Sequence, residues 1–352
     1  MSSLGKHTRY LPVLATPTRE VTGTLRISAV WHLPSLLREI EADLDEVLVA
    51  AGLPLKIFGD PDNPITYPEL EQLLLACERH SNRDDFGLLI GQRSRLAEMG
   101  LAGAAARCGD YVGQGLRRFV EQFNLHDGAA TMALVSAGTF TRFVYAIAEH
   151  GLTDTRQIQL GAITIAFNIV QDLCGSDWLP AAVTLACRSP ANPRACQKFF
   201  RAPVRFDCHE SALIFERHWL ERPLPPVDPV ERQRIEAELA ALERQQHSDF
   251  PASVRRLIRK QLLFGQCSME AVAASLGMHR RTLDRKLQRQ GAQYGELVDS
   301  VKQEVARQLL HDTRLQVQQI AESLHFSTAA NFATAFRRWT GKTPSEFRRR
   351  AR

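Results

Sequence analysis

One spacing pattern occurs twice in the last hundred or so residues of this chain, and it restricts the local fold more than any other feature. In the first copy, Ala273 is followed four residues later by Gly277, and then by Leu283 and Leu287, which are four apart. A small residue lets two helices approach closely, glycine accepts a left-handed turn, and the leucines pack the second helix onto the first. The spacing predicts a helix-turn-helix unit.

The second copy follows about fifty residues later and has Ala321, a turn at His325, and then Phe332 and Phe336. Between the copies, residues 294–312 show helical periodicity and are long enough to hold the two units at a fixed distance. The apolar positions of this connector are Leu297, Val298, Val301, Val305, Leu309 and Leu310. The sequence therefore predicts an all-α domain with two helix-turn-helix motifs on one rigid connector.

Charge is distributed unevenly along the chain. From Phe250 onward there are 19 Lys or Arg and 8 Asp or Glu, a net charge of +11. The preceding 249 residues carry 25 basic and 31 acidic residues, a net charge of −6. Basic side chains that neutralise phosphates supply most sequence-independent affinity for nucleic acids. The last hundred residues therefore have the charge of a nucleic-acid-binding domain.

The first unit places its basic residues on one helix face. With Leu283 and Leu287 facing inward at 100° per residue, Arg281, Arg285 and Gln288 point outward. A solvated surface that serves only solubility is the alternative for this segment taken alone. The second copy of the pattern favours contact with an anionic partner.

The first 225 residues change period several times and predict an α+β domain. Helices are expected over residues 33–48, 67–79, 85–93, 111–123, 158–173 and 194–200. The segment 131–147 is rich in β-branched and aromatic residues and is broken by Ala137-Gly138, which predicts a hairpin. Three further short strands are expected within 181–187, 204–208 and 211–215.

Four prolines within residues 222–229 mark the start of a linker. We expect a flexible arm over 1–24, an α+β effector-sensing or dimerisation domain over 25–225, a linker helix over 226–249 and the DNA-binding domain over 250–352. In the linker helix, Ile235, Leu239 and Leu242 share one face. A solvated helix and a dimer contact are both open interpretations of that face.

Several function classes receive no support from the composition and motifs. The chain has 44% hydrophobic and 24% charged residues, and neither a signal peptide nor a membrane-spanning run is visible, so we expect a cytoplasmic protein with no membrane contact. The seven cysteines form no C-x-x-C pair, so we expect reduced thiols and no metal site. No nucleophile or phosphate-loop motif occurs. We expect neither an enzyme nor a cofactor.

The segment from about Arg255 to Arg350 resembles the DNA-binding domain of AraC/XylS-type transcription regulators. The resemblance is carried by A-x-x-L-G-M-x-x-R-T-L-x-R-x-L from Ala273 and by F-x-x-x-F-R-R-W-x-G-x-T-P-x-x-F-R from Phe332. Upstream, AAGLP, CGSDWLP, FFRAPVRFD and ALIFERHWLERPLPP are similar to the effector domain of the ornithine-utilisation and virulence regulators. The resemblance covers almost everything from residue 30 and implies a transcription regulator.

Carried over by motif, the resemblance places base-contacting residues of the first recognition helix at Arg281, Asp284 and Arg285. Arginine can bond a guanine edge bidentately and aspartate can accept from a cytosine amine, so a G·C-containing site is expected. The whole set of expected DNA-contacting residues is Arg280, Arg281, Thr282, Asp284, Arg285, Gln288, Arg289, Thr328, Ala330, Asn331, Thr334, Arg337, Arg338 and Lys342.

The second recognition helix departs from the family pattern. Its base-contacting positions fall on Ala330, Asn331 and Thr334, where the family often has a longer polar side chain or arginine. We therefore expect weaker base recognition in the second unit. His279 stands where a capping serine is usual, and His325 replaces the usual turn glycine, which predicts a cost in stability at that turn.

Two interpretations of the N-terminal domain remain. In the first, it binds a small-molecule effector of unidentified chemistry, in a pocket near Phe140, Phe143, Tyr145 and Phe167, although a hydrophobic core has the same composition. In the second, it only dimerises or docks another protein. Double-stranded DNA is the partner in both, a homodimer is compatible with either, and an activator would also contact RNA polymerase.

Overall fold

The computed structural model describes residues 24–147, 152–245, 250–263 and 267–350. The predicted flexible arm lies outside these residues except for Thr24, where the first strand begins. A mixed α/β part is followed by an all-helical part, as the sequence predicted. The fold class is therefore confirmed.

Nine α-helices belong to the described residues before the DNA-binding domain. They are α1 (Leu33–Glu39), α2 (Leu44–Ala51), α3 (Tyr67–Ser81), α4 (Phe86–Gly91), α5 (Gly100–Arg107), α6 (Val112–Gln122), α7 (Arg156–Cys174), α8 (Arg194–Phe200) and α9 (Pro229–Gln245). Short 3₁₀ helices connect them at Ile27–Val30, Leu55–Gly59, Leu96–Glu98, Phe123–Leu125 and Arg217–Glu221.

Within the described residues, seven strands form two sheets. They are β1 (Thr24–Arg26), β2 (Pro64–Thr66), β3 (Ala130–Ala137), β4 (Phe140–Ile147), β5 (Ala182–Thr184), β6 (Val204–Arg205) and β7 (Ser211–Glu216). Strands β1 and β2 pair with each other, and the larger sheet has the order β3-β4-β7-β5-β6. Its pairs are antiparallel except β5 with β6. The predicted hairpin is confirmed: Ala137 pairs with Phe140, and Gly138 adopts φ +59° in the turn.

The first predicted helix, over residues 33–48, is two helices. Glu41 has φ +58°, a left-handed conformation that ends α1 and cannot continue an α-helix. Asp43 then caps α2, because its carboxylate accepts hydrogen bonds from the backbone N–H groups of Asp45 and Glu46. The apolar spacing is helical on both sides of the break, which is why periodicity alone predicted one helix.

The helix expected as a linker packs against the preceding domain. Ile235 and Leu239 of α9 are buried in a cluster with Ala104, Ala105 and Cys108. Ion pairs flank this contact, joining Arg118 to Glu236 at 2.5 Å, Arg107 to Glu231 at 3.2 Å and Arg232 to Asp110 at 3.3 Å. The apolar face of α9 is therefore covered within the chain, and neither a solvated helix nor a dimer contact describes it.

The C-terminal part is all helical. Its helices are α10 (Phe250–Leu263), α11 (Met269–Ser275), α12 (Arg280–Arg289), α13 (Tyr294–Asp312), α14 (Val317–Ser323), α15 (Ala329–Thr340) and α16 (Pro344–Arg350). Two separate hydrophobic clusters stabilise it. The first includes Val254, Ile258, Leu283 and Leu287, and the second includes Leu310, Ile320, Phe332 and Phe336. Helix α13 contributes residues to both clusters, as expected for a connector.

Candidate nucleic-acid interface

The first helix-turn-helix unit is formed by α11 and α12. Gly277 adopts φ +62° in the turn between them. His279 caps α12 in place of the usual serine, with its Nδ1 accepting a hydrogen bond from the Arg281 N–H at 3.3 Å. Leu283 and Leu287 are fully buried, which fixes the rotation of α12. The opposite face of that helix must then point away from the core.

The outward face of α12 is basic and exposed. Its exposed side chains are Arg280, Arg281, Thr282, Arg285, Gln288 and Arg289. Asp284 is half-buried and accepts a hydrogen bond from the Gln288 amide at 3.1 Å, and Arg280 pairs with Glu270 at 2.7 Å. Within the described parts of the chain, no carboxylate forms an ion pair with Arg281, Arg285 or Arg289. These three guanidinium groups remain available to phosphates or base edges.

The second unit is formed by α14 and α15. His325 adopts φ +57°, the left-handed turn predicted for it, and its Nε2 lies 3.0 Å from the carbonyl oxygen of Leu262 on α10. Thr328 caps α15 by accepting a hydrogen bond from the Asn331 N–H. Phe332 and Phe336 are fully buried. The histidine therefore joins the two units at the cost of a conformation that favours glycine.

The outward face of α15 carries fewer long donors than that of α12. Its exposed residues include Thr328, Ala330, Asn331, Thr334, Arg337 and Arg338, with Lys342 half-buried beyond the helix. The Asn331 amide donates to the Ser327 hydroxyl at 2.8 Å. Arg338 pairs with Asp299 of the connector at 2.5 Å. The two recognition helices thus present different chemistry to a common partner.

Both recognition helices are held to α13. Glu304 of α13 is buried and accepts hydrogen bonds from Arg255 and Arg259 of α10. These bonds join the connector to α10, the helix that shares a hydrophobic cluster with the first unit. At the other unit, the Gln303 amide donates to the Trp339 carbonyl at 3.2 Å. Sequence reasoning missed Glu304, although it lies three residues after Val301 on the apolar face of the connector, where an acidic residue is unexpected.

The four aromatic residues expected near an effector pocket do not line one space. Phe140 is 44% exposed at the start of β4, and Phe143 is fully buried in the core. Phe167 packs against Trp178, Phe199 and Phe200 in an aromatic cluster. Tyr145 alone of the four lines a cavity of the described residues that lies between the two domains. Packing in the core accounts for Phe143 and Phe167.

Tyr145 also belongs to a buried polar group. Its hydroxyl lies 2.7 Å from that of Tyr67, which donates to Asp127 at 2.7 Å. Burial raises the pKa of Asp127 to about 6 and lowers that of neighbouring His126 to about 4. Among the described residues, no group of three or more His, Cys, Asp or Glu could hold a metal ion. Within the same residues, every helix is too short or too polar to cross a bilayer.

Two helix-turn-helix units with an exposed basic recognition helix define a DNA-binding protein. Comparison with family models finds a match in each of the two parts of the chain. The arabinose-binding N-terminal domain of AraC transcription regulators matches residues 42–224, and a helix-turn-helix domain matches residues 272–350. Since the first match spans more than half of the sequence, the chain belongs to the AraC family of transcription regulators. The predicted class, a DNA-binding regulator and not an enzyme, is confirmed.

The chain is similar over most of its length to several regulators. It is 26% identical to the ornithine utilization regulator of Pseudomonas aeruginosa, covering 90% of this chain and 94% of that protein. It is 27% identical to the transcriptional regulator VirS of Mycobacterium tuberculosis, with 94% and 97% covered. VqsM of Pseudomonas aeruginosa is 28% identical, with 74% and 83% covered. The resemblance to the ornithine-utilisation and virulence regulators is thereby confirmed.

Proposed function

We propose that this regulator contacts DNA through both recognition helices and that a small molecule bound to its N-terminal domain controls it. The observation that supports DNA contact through α12 is the set of three exposed arginines, Arg281, Arg285 and Arg289, on a helix whose other face is buried. Arginine pairs bidentately with guanine and also neutralises phosphates. In this proposal, Arg281, Asp284 and Arg285 contact the bases.

The second recognition helix has a different role in this proposal. Ala330, Asn331 and Thr334 provide short contacts to thymine methyl groups and to adenine. Arg337, Arg338 and Lys342 contact phosphates, which position a protein without selecting sequence. The remaining candidates, Arg280, Thr282, Gln288, Arg289 and Thr328, flank these positions. Since the units share α13, they enter successive major grooves, about one helical turn or 34 Å apart.

The proposed domain division is an effector domain that extends through α9, followed by the DNA-binding domain from Phe250. The proposed location of the regulator is the cytoplasm. A role as activator would add RNA polymerase as a partner, and a homodimer would place two such domains on one operator. The competing interpretation is an N-terminal domain that only dimerises or docks a protein.

The salt dependence of DNA binding tests the first part of this proposal. The affinity of the full chain for a mixed pool of duplex DNA is measured as the salt concentration rises from about 50 to about 200 mM. We expect a steep linear fall of log affinity with log salt, because each neutralised phosphate releases counterions. A flat dependence would show that the +11 charge of the C-terminal domain serves only solubility.

A further inference from the structure

A cavity of about 330 Å³ lies where the effector domain meets the DNA-binding domain. Tyr145 and Ala146 of β4 and Gln159 of α7 line it on the effector side. Leu262 of α10 and Leu309 of α13 line it on the other side. Its volume lies at the lower end of the range for ligand pockets, roughly 300–1,000 Å³. The cavity is therefore a ligand-sized space with walls from both domains.

Direct contacts hold the two domains together beside the cavity. The Thr155 hydroxyl donates to Asp312 at 2.6 Å, and Arg188 donates to the His311 carbonyl at 2.8 Å. The Arg314 N–H donates to Asp207 at 2.8 Å. Ala186 of the effector side is buried within the second hydrophobic cluster of the DNA-binding domain. The walls of the cavity are thus parts of a formed interface.

The arginines that line the cavity are already paired with carboxylates of the protein. Arg142 pairs with buried Glu210 at 2.5 Å, and Arg259 pairs with Glu304. Glu322 is exposed, so water screens its attraction for a cationic ligand. A charged ligand would give up its hydration in exchange for arginines that are engaged with other carboxylates, which costs free energy. The cavity therefore favours an uncharged occupant.

One neutral polar group on the effector wall, the Gln159 amide N–H, is available to such an occupant. The buried Ser211 hydroxyl donates to the Gln159 carbonyl oxygen at 2.6 Å and accepts from the Ala186 N–H at 2.9 Å. No described residue accepts a hydrogen bond from the Gln159 amide nitrogen, although the residue is 1% exposed. Opposite this donor lie Leu262, Leu309 and Leu324. The wall offers a hydrogen-bond donor on one side and an apolar surface on the other.

We infer that the cavity binds an uncharged amphipathic molecule with a carbonyl group, such as an amide, ester or lactone. The carbonyl oxygen accepts from the Gln159 amide, and the apolar part packs on the leucines. This inference rests on the proposed function, since it names the class of effector and the place where it acts.

The site connects ligand binding with both helix-turn-helix units. Leu262 lies in the last turn of the helix that supports the first unit, and His325 forms the turn of the second. The hydrogen bond between them, 3.0 Å long, lies at the cavity wall. An occupant touches the effector domain and both units only while they are docked, so its binding stabilises the docked arrangement. It thereby restrains the spacing between the two recognition helices.

Three probes with one apolar chain test the charge class: hexanamide, hexanoate and hexylamine. Each is added to the full-length protein at about 10 mM, enough to load a site of millimolar affinity. We expect hexanamide to raise the melting temperature by about 2 °C and the charged probes to raise it less. A larger rise with hexanoate or hexylamine, or no rise with any probe, would overturn the inference.

Variants that fill the cavity test whether hexanamide raises the melting temperature by binding there. Ala146→Trp fills the cavity from the sheet and should abolish the response to hexanamide, whereas Ala181→Trp, at an exposed position outside the cavity lining, should retain it. Leu309→Phe fills the space from the connector and replaces Ala146→Trp if that variant fails to fold. A response that persists in the cavity-filled variant would place the ligand elsewhere and overturn the inference.

DNA binding separates this inference from the proposed function. With hexanamide bound, the wild-type chain should accept a narrower range of distances between two half-sites than without it. If the chain binds DNA but hexanamide changes neither the melting temperature nor the accepted spacing, only the inference about the cavity fails. If hexanamide binds in the cavity but the chain does not bind DNA, the proposed function fails instead.

Discussion

Arg281 and Arg285 differ from Arg338 in what their guanidinium groups touch. The first two extend from the exposed face of α12, and no ion pair within the described residues engages them. Arg338 is paired with Asp299 of α13 and lies beyond the proposed base-contacting positions of α15. A residue already held against the connector is suited to a phosphate contact, while the free pair can reach base edges.

This difference leads to a prediction for single replacements. Arg281→Ala or Arg285→Ala should weaken binding to the best site by about 1–3 kcal/mol and relax the base preference in one half-site. Arg338→Ala should weaken binding to all sequences alike. Binding-site selection with each variant measures both effects, and Arg234→Ala, an exposed change on α9, serves as the control. Three variants with the same selected motif would contradict the assignment.

His311 gives the interface between the domains a pH dependence. Its Nδ1 lies 2.8 Å from Asp312, which also accepts a hydrogen bond from Thr155 of the effector domain. The hydrogen bond to Asp312 raises the pKa of His311 above its usual 6.5, against the opposing effect of burial. The folded chain therefore favours the protonated imidazole. This contribution to stability is complete below about pH 6.5 and is lost as the pH rises through the raised pKa.

We predict that His311→Gln lowers the melting temperature of the full chain at about pH 6 and has a smaller effect at about pH 9. Thermal melts of the two proteins across this range give the difference directly. His218→Gln, a change at an exposed histidine, is the matched control and should show no such trend. A destabilisation by His311→Gln that grows with pH would contradict the sign of the effect.

At the scale of elements, α9 is the segment whose role changed most between sequence and structure. From the sequence, the three apolar residues on this charged helix did not show whether its apolar face contacts solvent or another subunit. The structure places Ile235 and Leu239 against α5, a helix that the periodicity of the sequence did not predict. The contact joins residues more than a hundred positions apart, and only the tertiary fold brings them together.

Leu239→Ala should lower the free energy of unfolding by about 2 kcal/mol, because the side chain is 7% exposed and its removal leaves a cavity. Val230→Ala, on the same helix and 75% exposed, should have an effect within about 0.5 kcal/mol. Chemical denaturation and sedimentation are measured together. If α9 were a dimer contact, Leu239→Ala would shift the oligomeric state while leaving the stability of the monomer unchanged.

Local patterns predicted the elements that have strong local causes. The hairpin, α7 and both helix-turn-helix units follow from periodicity, turn residues and small residues at close contacts. The outward positions of α12 follow from the two buried leucines alone. The Glu304 pairs, the Thr155–Asp312 contact and the interdomain cavity depend on distant segments, so no local pattern indicated them. The pocket aromatics could not be assigned because core and pocket share one composition.

At the scale of the whole molecule, two features determine how the chain meets DNA: the opposite net charges of its two parts and the connector helix α13. The domain from Phe250 carries +11, while the chain before it carries −6. Opposite net charges favour docking of the two domains and direct the basic recognition helices toward an anionic partner. Glu304 and Gln303 of α13 form contacts on the sides of both units. We therefore expect the recognition helices α12 and α15 to contact DNA as one rigid unit.

Selection of binding sites from random duplex DNA by the full chain tests this account most directly. We predict one sharp, G·C-containing block contacted by Arg281 and Arg285, and one degenerate block about ten base pairs away at a constant distance. Replacing Thr334 with arginine should sharpen the second block, since it adds the long donor that the proposed base-contacting positions of α15 lack. Two equally sharp blocks with the wild-type chain, or no enriched sequence at all, would contradict the account.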